Sequence, residues 1–251
     1  MRMLGDEESA VGIHAVSEAL VAGEPVRRVV VARHRERDAA LRPLIEEAKR
    51  RGVAVEVKPE AWFRQFGNAR HQHVAATMPA FAYVAFEEMR RRVAAKDDGL
   101  VVVVDHVEDP QNLGAIMRAA EGAGAHGLLI PDRRSASVTA ATRRSAAGAA
   151  SHLPVARVPN LVRVLEDLKT GGFWISGLSA APEAELYTGV DFRGRTALVV
   201  GGEAKGLSRL VAEHCDHLVR IPMRGKVASL NAAAACAVVL YEAVRQRAGR
   251  L

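Results

Sequence analysis

Residues 100–104 form a continuous apolar run, Leu-Val-Val-Val-Val, ended by Asp105. A run of that kind reads as a strand buried on both faces of a parallel sheet. Shorter apolar segments follow at 127–130, 155–158, 173–177, 196–200 and 217–221. Between them lie stretches with helical spacing, at 115–122, 139–150, 161–169 and 208–214, and a last one rich in alanine from Ser229 onward. Strands alternating with helices predict a parallel sheet covered on both faces. The first part of the chain has a different rhythm. Helices are expected at 12–22, 38–51 and 60–66, the first two stopped by Gly23 and Gly52, and strands at 26–32, 53–58 and 73–78.

Two domains follow from this. Residues 1–79 read as a small α/β sandwich, 80–97 as a partly helical linker, and 98–251 as the larger parallel-sheet domain. The linker carries Phe81, Tyr83 and Phe86, then the run Arg90-Arg91-Arg92, which reads as a solvated face. The chain shows no fixed-period repeat and no low-complexity tract.

Composition narrows the class without choosing a function. The formal charge is +6 and the excess is shared evenly on either side of residue 97. A polyanionic partner fits that balance but is not demanded by it. Aromatic residues make up only 4% of the chain, which argues against recognition by rows of stacked rings. The two cysteines, Cys215 and Cys236, form no disulfide framework, so a reducing, cytoplasmic setting is expected. The polar, acidic start is unlike a signal peptide, and no apolar run approaches the ~18 residues of a membrane span.

Three loops at the carboxyl ends of the expected strands stand out, because ligands of open parallel sheets bind at such ends. The first, 105–121, reads Asp-His-Val-Glu-Asp-Pro-Gln-Asn-Leu-Gly-Ala-Ile-Met-Arg-Ala-Ala-Glu. The second, 200–207, reads Val-Gly-Gly-Glu-Ala-Lys-Gly-Leu. The third, 221–231, reads Ile-Pro-Met-Arg-Gly-Lys-Val-Ala-Ser-Leu-Asn. Pro222 should end its strand, and Ser229 is expected to cap the last helix, turning free amides toward the loop. None of these is a GxGxxG or Walker loop, and none has metal-ligand spacing. Taken alone, Asn112 also suits a turn, Arg118 an ion pair with Glu121, and Glu203 a helix N-terminus. His214, Cys215 and His217 lack a second ligand cluster, so no metal is expected. Arg133-Arg134 and Arg143-Arg144 read either as a solvated surface or as a grip on RNA phosphates.

In this order and spacing the three loops resemble the SpoU family of S-adenosylmethionine-dependent RNA ribose 2′-O-methyltransferases, of the SPOUT class. The likeness covers 100–251 almost continuously. Residues 11–78, with the exit segment Ala-Arg-His-Gln-His-Val-Ala-Ala at 69–76, resemble the L30e-like substrate-binding domain of many members. Residues 213–216 and 241–247 are similar to members that methylate a guanosine in the P loop of 23S rRNA. The resemblance implies an α/β fold with a C-terminal trefoil knot, S-adenosylmethionine as methyl donor without a metal, an rRNA partner and a homodimer joined at the knot. It assigns Asn112 and Arg118 to the reacting ribose and Glu203 to the motif's acidic position. Ser229 and Asn231 match its polar pair, while Gly201, Ile221 and Leu230 match cofactor-contacting positions. After Asn231 the chain runs Ala-Ala-Ala-Ala, where relatives usually carry a β-branched residue and a serine. Another rRNA or tRNA nucleotide, or a non-catalytic RNA-binding assembly role, is the alternative.

Overall fold

The computed structural model describes residues 7–203 and 206–248, in two compact units that divide between Ala82 and Tyr83. In the first, the order is β1 (Glu7–Val11), α1 (Ile13–Val21), β2 (Arg28–Ala32), α2 (Arg42–Arg50), β3 (Ala54–Lys58) and β4 (Val74–Pro79), with a 3₁₀ turn at Glu60–Phe66. The sheet runs β1-β4-β2-β3, parallel only between β2 and β3. Strands β2 and β4 are its buried middle, and Phe63 seals one side against Val30, Ala32 and Ala75. Strand β1 has no counterpart among the elements expected from the sequence. Its Glu-Glu-Ser-Ala-Val carries no strand signal, and it exists because β4 offers it an edge.

The second unit contains α3 (Phe86–Ala94), β5 (Leu100–Asp105), α4 (Pro110–Gly122), β6 (Gly127–Pro131), α5 (Ala140–Ala146), β7 (Val155–Val158) and α6 (Leu161–Thr170). It continues through β8 (Trp174–Leu178), β9 (Glu185–Leu186), β10 (Thr196–Gly201), α7 (Arg209–Glu213), β11 (His217–Arg220) and α8 (Ala232–Ala248). Its seven strands are all parallel, in the order β7-β6-β5-β10-β8-β11-β9. Every residue of β5 is buried, as its apolar run predicts. Val101 and Val103 face a core shared with α3, α6 and α7, so Val102 and Val104 face the side of α4, α5 and α8.

Several expectations change in detail. Helix α3 lies inside the stretch read as a linker, yet Met89 and Val93, one turn apart, are buried in the same core as Leu165 and Val199. Helix α4 begins five residues before the expected 115, because Asp109 accepts the amide of Gln111 and Pro110 opens the first turn. Asn112 is therefore a helical residue, not a loop residue. Ser229 does not cap α8. Asn231 does, its Oδ1 accepting the amides of Ala233 (2.9 Å) and Ala234 (3.3 Å), so the segment before it stays outside the helix.

Candidate active site

Strand β5 ends on a buried carboxylate. Asp105 Oδ2 accepts the amide of Ser208 at 2.6 Å, its other oxygen meets His106 Nδ1, and its carbonyl accepts the amide of Gly202 at 2.8 Å. One residue thus ties the loop after β5 to the loop after β10. The glycines there are required by close approach. A Cβ at Gly201 would lie 2.1 Å from the Gly206 carbonyl carbon, and one at Gly202 would lie 2.2 Å from the His106 oxygen. Ala204 and Lys205 of this loop lie outside the described residues.

These loops border a cleft of about 420 Å³ at the carboxyl ends of β8, β10 and β11. Gly201, Glu203, Ile221, Ser229 and Leu230 line it, so the second and third sequence motifs meet here. The loop after β8, with Leu178, Ser179, Ala180 and Pro182, forms another wall. No sequence motif marked that wall, since small and apolar residues carry no chemical signature. Among the described residues, the amides of 223–230 donate to no acceptor, so the main chain from Met223 to Leu230 is available to a ligand. Apolar side chains beside open backbone amides and carbonyls suit a flat heterocycle with hydrogen-bonding edges.

At the rim, three side chains from the three motifs converge. Asn112 Nδ2 and Asn231 Nδ2 each donate to Glu203 Oε1 at 2.6 Å, and Asn231 Nδ2 also donates to Asn112 Oδ1 at 2.9 Å. Asn231's orientation is fixed from behind. Its oxygen is committed to the amides of α8, so its nitrogen must face Glu203. Glu203 Oε2 holds no hydrogen bond among the described residues and remains an acceptor. Arg118 is not part of this cluster. It is exposed on α4, six residues past Asn112, which is about 120° around and ~9 Å along the helix. Among the described residues it makes no ion pair with Glu121.

Other candidates separate. Arg133, Arg134 and Arg144 are exposed while Arg143 is buried. His214 meets Leu210's carbonyl and Glu166, His217 meets Glu185, and Cys215 donates to Val211's carbonyl, so these three do not converge. No group of histidine, cysteine and carboxylate side chains able to hold a metal occurs among the described residues. Burial pushes the Cys215 thiol up to about 12, with Lys169 opposing, and burial alone raises Cys236 to about 12.

The model of the SpoU rRNA Methylase family matches residues 99–241, and that of the RNA 2′-O ribose methyltransferase substrate-binding family matches 10–84. The chain belongs to the SpoU family. The 23S rRNA (guanosine-2′-O-)-methyltransferase RlmB of Xanthomonas axonopodis pv. citri is 44% identical over 95% of this chain and 96% of its own. Among solved structures, the SpoU methyltransferase AviRb of Streptomyces viridochromogenes, in complex with the cofactor AdoMet, is 31% identical with a TM-score of 0.64, covering 97% of this chain and 91% of its own. An AdoMet-bound rRNA methyltransferase from Sinorhizobium meliloti shares the fold, with a TM-score of 0.64 at 24% identity, over 96% of this chain and 87% of its own. The chain thus has the family's α/β architecture, a parallel seven-stranded sheet preceded in sequence by a small N-terminal domain, as the motif resemblance implied. No helix among the described residues is long and apolar enough to cross a membrane.

Proposed function

We propose that this protein methylates the 2′-hydroxyl of a guanosine in 23S rRNA, using S-adenosylmethionine. The observation that carries the reading is the Asn112–Glu203–Asn231 cluster at the mouth of the cleft, on a chain 44% identical to a guanosine-2′-O-methyltransferase. Bound in the cleft, S-adenosylmethionine supplies an electrophilic sulfonium methyl group. Ile221, Leu230 and the backbone between them would hold its adenine end, with Gly201 closing from the other side. The two asparagines and Glu203 would orient the ribose, and Glu203 Oε2 would accept the proton of the 2′-hydroxyl. Arg118 is proposed to hold an anion through its guanidinium, not to act as the base. Ser229 offers a hydroxyl to the same cleft.

The P-loop guanosine is the proposed target, residues 10–84 the part that holds the RNA, and the cytoplasm its place of action. A homodimer through the knotted region is also proposed. On α8, Ala234, Val238 and Tyr241 form an exposed apolar stripe at helical spacing, and Tyr241 touches α4 beside Gly122, one turn past Arg118. Light scattering that finds a monomer at working concentration would remove that part. The test of the activity is ribose-methylation mapping of unmodified 23S rRNA incubated with protein and S-adenosylmethionine. A single new 2′-O-methylguanosine in the P loop is expected, reduced at least tenfold by Glu203→Gln or Asn112→Ala. Transcripts left unmethylated at every position would overturn it.

A further inference from the structure

In the first unit, the carboxyl ends of β1, β2 and β3 and the start of β4 lie at the same end of the sheet. The turns there contain an unusual concentration of imidazole. The rings of His34 and His73 are 4.8 Å apart, those of His71 and His73 4.7 Å, and Phe63 stacks beneath His71 at 5.5 Å. Phe63 is fully buried and gives the cluster a rigid floor, while His34 is exposed. Gln72 and His73 both hold positive φ, 46° and 56°, a conformation that costs free energy for residues other than glycine. Part of the reason is structural, since the Gln72 side chain caps α1 by accepting the amide of Ile13 at 3.2 Å. That does not account for the histidine that follows. His71 Nδ1 accepts the amide of His73 at 3.0 Å, which leaves Nε2 as its outward donor.

The turns at this end also carry Arg33, Arg37, Arg64 and Arg70, all exposed and all without an ion pair or side-chain hydrogen bond among the described residues. Arg35 is already held by Asp38 at 2.9 Å and by the Gln72 carbonyl at 2.6 Å. The acids at this end are Glu36, Asp38 and Glu60, of which Asp38 is committed to Arg35 and Glu60 faces His73 at 3.4 Å. Free guanidinium groups in the same turns as the imidazoles are suited to a chain of phosphates.

We propose that this end of the first unit is where the RNA backbone is gripped, with Arg33, Arg37, Arg64 and Arg70 contacting phosphates and His73, in ring contact with His34 and His71, taking up a proton as RNA arrives. This rests on the RNA-methyltransferase reading and adds to it the contact surface and its dependence on pH. The groups facing His73 are Glu60 and Phe63 from the turn after β3, His34 and Arg35 from the turn after β2, and His71 from its own loop. Burial first, then the neighbouring His71, His34 and Arg35, keep His73 below the ordinary histidine range, against the opposing pull of Glu60. His73 is thus neutral at neutral pH in the free protein. An incoming phosphate favours the protonated form, so binding consumes a proton and strengthens as pH falls.

The experiment uses the full chain without S-adenosylmethionine and fluorescently labelled 23S rRNA transcript, with affinity read from anisotropy against salt and pH. Wild-type affinity should rise several-fold from about pH 8 to about pH 6, the range in which histidine titrates. Combined His34→Gln and His73→Asn should flatten that response, asparagine being tolerated at positive φ. Combined Arg33→Gln, Arg37→Gln and Arg64→Gln should reduce the slope of log affinity against log salt by about one for each phosphate no longer neutralised. Methyl transfer by these variants should show a raised KM for RNA and unchanged kcat. A pH response and salt slope equal to wild type in both variants overturn the proposal even if methylation proceeds. Wild-type protein that binds with the expected signature but transfers no methyl group leaves the proposal standing and removes the catalytic reading.

Discussion

Gly201→Ala tests the link between loop packing and the cleft. Gly201 does not hold a positive φ, so alanine brings no backbone strain of its own, and the entire effect comes from space. The new Cβ would lie 2.1 Å from the carbonyl carbon of Gly206, 2.4 Å from its oxygen and 2.4 Å from the Leu207 nitrogen. All are backbone atoms, so no rotamer relieves the clash. Reaching an ordinary separation of 3.4 Å moves the loop by more than 1 Å and breaks the bond from the Gly206 amide to the Gly202 carbonyl, now 2.8 Å. Overpacking of this kind costs about 1–3 kcal/mol, the broken hydrogen bond included. For a chain of this size that lowers Tm by several degrees, at about 2–4 °C per kcal/mol. The displaced loop is a wall of the cleft, so S-adenosylmethionine affinity should fall at least about tenfold, the effect of ~1.4 kcal/mol. Calorimetric titration and differential scanning calorimetry read both quantities. Gly194→Ala, where nothing lies within 4 Å of the added carbon, should change neither. A Gly201→Ala protein with wild-type Tm and cofactor affinity within a factor of about two would refute the reasoning.

Asn231→Asp should keep the cap of α8, so stability stays near wild type, while an acid facing Glu203 lowers kcat by about 10–100-fold; Asn231→Ala should lose about 1 kcal/mol of stability as well, and melts beside single-turnover assays distinguish the two. His126 accepts the Leu100 amide at 3.1 Å and burial, above all, holds it below the ordinary histidine range. The unfolded chain takes that proton more readily, so stability is full above about pH 6.5 and declines as pH falls below it. Melts from about pH 8 to about pH 5 should show the decline, and His126→Gln should flatten it. Cys236, buried and with its thiol raised to about 12, should react with a thiol reagent only as the protein unfolds, so burst labelling of it in native conditions would contradict its burial.

Strand β5 matches the apolar run that predicts it, because a strand buried on both faces must be apolar along nearly its whole length. Strand β1 and the two-residue β9 are not legible in the sequence, since what makes them strands is a neighbour's open edge. The start of α4 is written in Asp109-Pro110, but the turn-rich composition of 106–114 hides it. The cap of α8 requires choosing between Ser229 and Asn231, which local rules rank as equals; only contact with Glu203 separates them. For the site, the motifs place Gly201, Glu203, Ile221, Ser229 and Leu230 around one cleft, but the wall at 178–182 cannot be read from spacing. It depends on which strands are neighbours, and β8 lies beside β10 and β11 through pairings formed over long stretches of chain.

Asn112 and Asn231 are 119 residues apart, and the second of them also begins the final helix. Synthesis therefore delivers the motifs of this centre at different times, the Asn231 amide last. While the ribosome is still making the chain, the Asn112 and Glu203 side chains can already be folded, but the partner they share is still in the exit tunnel. On the proposed role of Asn231, a nascent enzyme surrounded by its own proposed substrate would stay silent until α8 had emerged and docked, and the event that completes the fold would also license the chemistry.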